Sequence, residues 1–412
     1  MKNKLIFSFI LLLTAFPLFS CTKNKTNPEP DPHSSDSFTV VVNNGYGSGT
    51  YKTGDTVHIF SKHYSNNQLF DKWSGDAALL NGPNEWHTWF TMPNRNVTVT
   101  GSLKNSIAYT LHYEQIMGRD RLKPVYYYFP AGHKGIVYLL HGTSGSAASV
   151  VGGYEFQLLI KDLINDNFGV IITEAEEATT GVDANGDGKL RWASLPANTT
   201  TNVDYANIRI ITEALYSQGI TDVTKPKYSI GMSNGGFFST ALSYIYNFKA
   251  AVSYCAQGGA ATIASTSVPT LFCMAGNDNN ESVGQAGNAA ALSNSNSLKA
   301  RGVCSNYFAN VRSPIYSERF AREGDITTAL SVSIFNELKS KGFIDDKNYS
   351  TGYSDVFLNA YQSNPASFPT INGLTFSQKT SVLAEINLSV ADHHMYSDLN
   401  RKTIKFLNTL CQ

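Results

Sequence analysis

Five continuous apolar runs of strand length, at 136–140, 169–173, 228–231, 250–254 and 270–275, constrain this chain more than any other feature. Runs this short and unbroken read as strands buried on both faces, since a half-exposed strand would alternate with polar residues. Between them, Phe156, Leu159, Ile160, Leu163 and Ile164 keep helical spacing, as do Ile208, Ile211 and Leu215. Tyr109, Leu111 and Tyr113 alternate just upstream, and 126–129 is a further strand candidate. Strands alternating with helices predict an α/β fold: a mostly parallel sheet with helices on both faces and its chemistry at the carboxyl ends of the strands. The 412 residues are 42% hydrophobic and 16% charged, enough to bury a core and too apolar for wholesale disorder. Lys plus Arg and Asp plus Glu each number 32, and zero net charge argues against a nucleic-acid partner. Aromatic residues at 12% favour recognition of rings or acyl chains.

At the end of the third run stands Gly231-Met232-Ser233-Asn234-Gly235-Gly236, followed by a helical stretch at 237–245. A serine in so sharp a strand-to-helix turn needs small neighbours two residues away, and the turn lifts its hydroxyl above the sheet. That hydroxyl is a poor nucleophile until a base takes its proton. Of nine histidines only His393 and His394 lie beyond Ser233, so one of this pair is the candidate base. The expectation favours His394, with His393 as the alternative, at the end of a strand expected over 382–388. The apolar run 270–275 leads through Gly276-Asn277 to Asp278, the candidate acid that would hold the imidazole in one tautomer. An oxyanion hole requires two backbone donors. Asn234 follows the nucleophile, and Thr143 follows the turn at His141-Gly142, where His141 reads as a brace.

These residues resemble the esterase branch of the α/β-hydrolases that includes polyhydroxybutyrate depolymerases and feruloyl or acetylxylan esterases. The matching pieces are Leu-His-Gly at 140–142, Asn202-Val203-Asp204-Tyr205, Gly-Met-Ser-Asn-Gly-Gly at 231–236, Gly-Asn-Asp at 276–278 and His394. The resemblance implies a serine carboxylic ester hydrolase that needs no cofactor and acts on acyl esters of polysaccharides or on short polyesters. Asp278 and His394 stand unusually far apart for such a chain. An insertion is therefore expected at about 279–380, forming a lid or acyl-binding wall over the site. A serine peptidase of the same fold, or an inert glycan-binding or adhesion protein, are the rival readings.

Residues 38–103 have a different pattern, short alternating strands separated by Asn43-Asn44-Gly45, Gly47, Gly49 and Gly54-Asp55. With Tyr51, Phe70…Trp73-Ser74-Gly75-Asp76 and Phe90-Thr91-Met92-Pro93…Asn96-Val97-Thr98-Val99, the stretch resembles a bacterial repeat related to internalin B-repeats. That implies a small β domain serving as spacer or adhesive unit. Trp73, Trp86 and Trp89 are expected to fill its core, with stacking on sugars as the alternative. The catalytic unit is expected over 107–412.

Lys2 and Lys4, an apolar run at 5–19 and Leu18-Phe19-Ser20-Cys21 resemble a bacterial lipoprotein signal. Residues 1–20 would be removed, Cys21 lipidated, and 21–37 left as a linker, giving an exported lipoprotein anchored to a membrane on the outer-membrane, cell-surface or periplasmic side. Export permits disulfides, and Cys255, Cys273, Cys304 and Cys411 allow three full pairings, although Cys273 also reads as a buried thiol. Finally, Asp183, Asn185 and Asp187 copy the start of a calcium loop, but Ser194 stands where the closing carboxylate belongs. A structural calcium and a plain turn rich in Asp and Asn are both open readings.

Overall fold

The computed structural model describes residues 36–411, so Cys21 and the whole expected signal lie outside the described residues, as does most of the linker. Seven strands form the N-terminal module: β1 (Ser37–Asn43), β2 (Gly45–Tyr46), β3 (Gly49–Lys52), β4 (Thr56–Ser61), β5 (Gln68–Gly75), β6 (His87–Thr91) and β7 (Val97–Asn105). They make two small sheets, ordered β3-β1-β7-β5 and β2-β4-β6. Trp73 and Trp86 are buried between them, and the Trp73 indole N–H donates to the Glu85 carbonyl at 2.9 Å. A module of this size needs such large side chains to close a core.

The main sheet follows: β8 (His112–Met117), β9 (Leu122–Tyr128), β10 (Ile136–Leu140), β11 (Gly169–Ile172), β12 (Lys227–Met232), β13 (Ala250–Tyr254), β14 (Thr270–Ala275) and β15 (Ser305–Asn310). Its order is β15-β14-β13-β12-β10-β11-β9-β8. The six strands from β15 to β11 are parallel, and β9 and β8 close one edge antiparallel. Every residue of β10, β11, β13 and β14 is buried, which explains the unbroken apolar runs. Helices Tyr154–Asn165 and Asn400–Thr409 pack on one face through Leu159, Leu163, Ile404 and Leu407. Helices Val203–Ser217 and Asn234–Tyr246 cover the other through Ile208, Ile211, Phe238 and Leu242. This is the α/β-hydrolase arrangement. Among the described residues no helix is long and apolar enough to cross a membrane.

Three expectations need correction. Residues 382–388 are not a strand but part of helix Phe376–Val390, which a reciprocal cap between Thr375 and Gln378 opens. Val382 and Ile386 are one turn apart on its buried side, a helical period that a short apolar run conceals. The insertion also begins later than 279, because helix Gly284–Ala300 and β15 belong to the sheet and its covering layer. Residues from 311 onward build a separate helical unit around Phe320, Ile334, Leu338 and Phe357, including helices Thr328–Ser340 and Ser354–Ser363. This unit packs against the β module, with Tyr316 stacked on Tyr46 at 4.3 Å, and supplies no residue to the cleft above Ser233. It is therefore not the expected lid, whereas Asn280 to Val283, at the start of the expected insertion, do wall that cleft. Cys304 and Cys411 form a disulfide, whereas Cys255 and Cys273 are buried thiols.

Candidate active site

The serine motif reads directly as geometry. Ser233 lies between β12 and helix Asn234–Tyr246 with φ 57° and ψ −124°, a backbone that L residues rarely adopt. A Cβ on Gly231 would lie 2.0 Å from the Gly235 carbonyl oxygen, and one on Gly235 would lie 2.4 Å from those of Leu140 and His141. Only glycine fits at either position. The turn is fixed by the Ser233 N–H donating to the Tyr254 carbonyl at 2.8 Å, and it projects the hydroxyl into a cleft of about 890 Å³.

The imidazole that meets this hydroxyl is His393, which corrects the expectation for His394. His393 Nε2 lies 2.9 Å from Ser233 Oγ, and His393 Nδ1 lies 2.8 Å from Asp278 Oδ2. His394 turns the other way. Its Nδ1 is 3.0 Å from the Met395 carbonyl, and its ring lines a small separate pocket with Phe156, Met232 and Met395. The physical reason lies upstream, where Ala391 ends the preceding helix in a left-handed conformation at φ 59°. The chain then reverses and presents residue 393, not 394, to the serine.

The acid and base loops are joined by bonds that individual motifs do not reveal. Asp278 is 3% exposed, and its second oxygen accepts the Asn280 N–H at 2.9 Å. The Asn277 N–H donates to the Ala391 carbonyl and its side-chain amide to that of Val390, both at 2.9 Å. Asp392 accepts the N–H groups of Asn279 at 2.9 Å and of His393 at 2.7 Å. Asp392 is thus a positioning residue beside the histidine, and the sequence carried no signal for it beyond adjacency.

Gly142 and Thr143 border the cleft, and the loop passes so close that a Cβ on Gly142 would lie 3.3 Å from Ser233 Cβ. Asn234 is the first residue of its helix, where backbone N–H groups have no partner within the helix. Its side chain is engaged elsewhere, with Oδ1 accepting the Trp192 N–H at 2.8 Å and Nδ2 donating to the Trp192 carbonyl at 3.3 Å. His141 braces the loop. Its Nε2 accepts the Ala175 N–H at 3.0 Å, so Nδ1 carries the proton it gives to the Gly142 carbonyl at 2.6 Å. Burial pushes its pKa down to about 4, which keeps the ring neutral.

The wall opposite is the irregular segment between helices Glu176–Thr180 and Val203–Ser217. Trp192 is buried there, its indole N–H donating to the His141 carbonyl at 3.1 Å and its ring stacked on Phe238 at 4.8 Å. The Asn202 to Tyr205 motif ties this wall down. Asn202 Nδ2 donates to the Ala193 carbonyl at 2.7 Å, Asp204 accepts the Ala193 N–H at 2.7 Å, and the Tyr205 hydroxyl donates to the Ser194 carbonyl at 3.0 Å.

Two groups of metal-ligand type border the site. In the 183–187 loop, Asp183 accepts the N–H groups of Gly186 and Gly188, and Asn185 accepts that of Asp187. Asp187 in turn accepts the Lys189 N–H and pairs with the guanidinium of Arg191. These are the bonds of a turn rich in Asp and Asn. Cys255 lies within 4.8 Å of Asp278 and His393, but burial raises its thiol well above the ordinary range, and it donates to the His394 carbonyl.

No protein-family model matches the chain, and no curated protein matches it. Solved structures similar to it include a dienelactone hydrolase from Anabaena variabilis, at 14% identity over 49% of this chain and 87% of that one, TM-score 0.37. A hyperthermophilic esterase from Pyrobaculum calidifontis is similar at 14% identity over 50% of this chain and 76% of that one, TM-score 0.34. An acylaminoacyl peptidase from Pyrococcus horikoshii is similar at 11% identity over 64% of this chain and 48% of that one, TM-score 0.36.

Proposed function

We propose that the protein is a serine carboxylic ester hydrolase, exported and lipid-anchored through Cys21, that removes acyl groups from polysaccharides or cleaves short polyesters. The observation that carries the reading is the unbroken chain from Asp278 through His393 to Ser233, at 2.8 and 2.9 Å, opening on a cleft. In this mechanism Ser233 Oγ attacks the ester carbonyl while His393 Nε2 takes its proton. Asp278 accepts from Nδ1–H throughout and stabilises the imidazolium. The N–H groups of Asn234 and Thr143 receive the developing oxyanion. When the tetrahedral adduct collapses, His393 returns the proton to the departing alcohol. Water, deprotonated by the same imidazole, then frees the acid and restores the serine.

The test is covalent labelling by a fluorophosphonate together with hydrolysis of nitrophenyl, feruloyl, acetyl-xylan and hydroxybutyrate esters, set beside amide substrates. Labelling that disappears in Ser233→Ala, with ester turnover exceeding amide turnover, is the expected result. An unlabelled wild type overturns the hydrolase reading, and preferred amide turnover makes the protein a peptidase.

A further inference from the structure

A second large crevice, about 920 Å³, runs between the β module and the helical insertion, away from Ser233. Ligand sites favour such junctions, and this volume is within the roughly 300–1,000 Å³ usual for small-molecule sites. One wall is the β2–β4 region of the module and the other is the chain around Tyr316 and Tyr349. The two walls are held in place before any ligand arrives. Tyr46 stacks on Tyr316, the Tyr316 hydroxyl lies 3.0 Å from His63 Nε2, and the Arg319 guanidinium lies over the Phe60 ring at 5.8 Å. Below them Arg322 covers Trp86 at 4.3 Å.

Tyr51 and Tyr349, both half-buried, contribute aromatic rings from the two sides. Both rings line the same crevice, and burial raises the Tyr51 hydroxyl above its ordinary range. The Tyr51 hydroxyl donates to the Gly47 carbonyl at 2.9 Å, so the ring is fixed, and His58 meets Tyr349 edge-on at 6.3 Å. Around the rings stand Asp55, Glu318 and Asp346 with Lys339 and Lys347. Three carboxylates against two ammoniums disfavour a polyanion, and so many polar groups disfavour a lipid tail. Flat aromatic faces bordered by donors and acceptors of both kinds suit a ligand with apolar C–H faces and a belt of hydroxyls.

We propose that this crevice binds a neutral oligosaccharide segment, held between Tyr51 and Tyr349, and so keeps a polymer near the protein independently of the Ser233 cleft. Binding is separable from catalysis, so the full chain carrying Ser233→Ala is run through native gels containing xylan, galactomannan or polygalacturonate. Retardation by at least one neutral polymer is expected, roughly three- to tenfold weaker when Tyr51→Ala or Tyr349→Ala is added. In the Ser233 background both tyrosine variants should turn over a small nitrophenyl ester as the parent does, which also reports that they fold. The substitutions lie on different units, so misfolding of one leaves the other to decide. No retardation by either neutral polymer, undiminished retardation in the folded variants, or tighter retention by polygalacturonate overturns the proposal. Because the gels require no turnover, failure here is distinct from failure of the hydrolase reading.

Discussion

His393 and His394 differ in what their neighbours demand of them, which makes their exchange a sharp residue-scale test. His393 is bonded on both nitrogens within the Asp278–Ser233 chain, while His394 bonds its own neighbouring carbonyl. His393→Ala should therefore lower kcat on a nitrophenyl ester by roughly a thousandfold or more, and His394→Ala by no more than a few fold. Steady-state kinetics on both variants check this, and equal losses would mean that the two rings share the work. Ser233, Asp278 and the pair of histidines were legible in the sequence because strand ends and a glycine-rich turn mark them. The choice within the pair was not. It depends on one left-handed residue, Ala391, and on the bonds of Asn277 and Asp392 across more than a hundred residues of chain.

At the scale of elements, the segment carrying His393 is clamped from three sides. The Ser397 N–H donates to Glu155 at 2.6 Å, and Arg322 of the insertion donates to Ser397 Oγ at 2.9 Å. His87, on β6 of the module, lies 2.6 Å from Asp398. Arg322 itself bridges Glu155 at 2.5 Å and Glu385 at 2.7 Å, so two arginines, with Arg319, balance two carboxylates out of water. The β module is consequently joined to the chemistry and is not a free spacer. His87→Ala should lower kcat roughly tenfold, with KM for a small ester unchanged, because it loosens the base and not the cleft. His87→Asn, which keeps a donor toward Asp398, should recover most of that loss; a shift confined to KM would contradict the clamp. None of this was visible in the sequence. The strand runs of the sheet were, since burial on both faces leaves a compositional mark. An interface between units leaves none, because its polar partners lie as much as 311 residues apart, as His87 and Asp398 do.

For the whole molecule, buried histidines contribute to how stability follows pH. His58 is buried, with Nδ1 3.0 Å from His87 Nε2, and His87 in turn gives its Nδ1 proton to Asp398. Burial, reinforced by His87 and Arg319 and opposed by Asp398, pushes the His58 pKa down to about 3, and burial holds His141 at about 4. Both rings take up a proton on unfolding at any pH between these values and the ordinary histidine value near 6.5. For these two rings the unfolded chain binds more protons than the folded one, so their contribution to stability rises with pH across this window, while Glu85 and Glu323, which burial raises to about 7, contribute in the opposite sense. Between pH 7 and pH 5 each ring should cost about 2 kcal/mol, a loss that the raised carboxylates offset. His58→Asn, which can still donate to His87, should gain about 2 kcal/mol over the parent at pH 5 while leaving the melting temperature at pH 7 close to the parent's. Calorimetric scans at pH 5, 6 and 7 measure both. A pH dependence in His58→Asn that matches the parent's would show that the His58 imidazole is not held neutral in the folded protein.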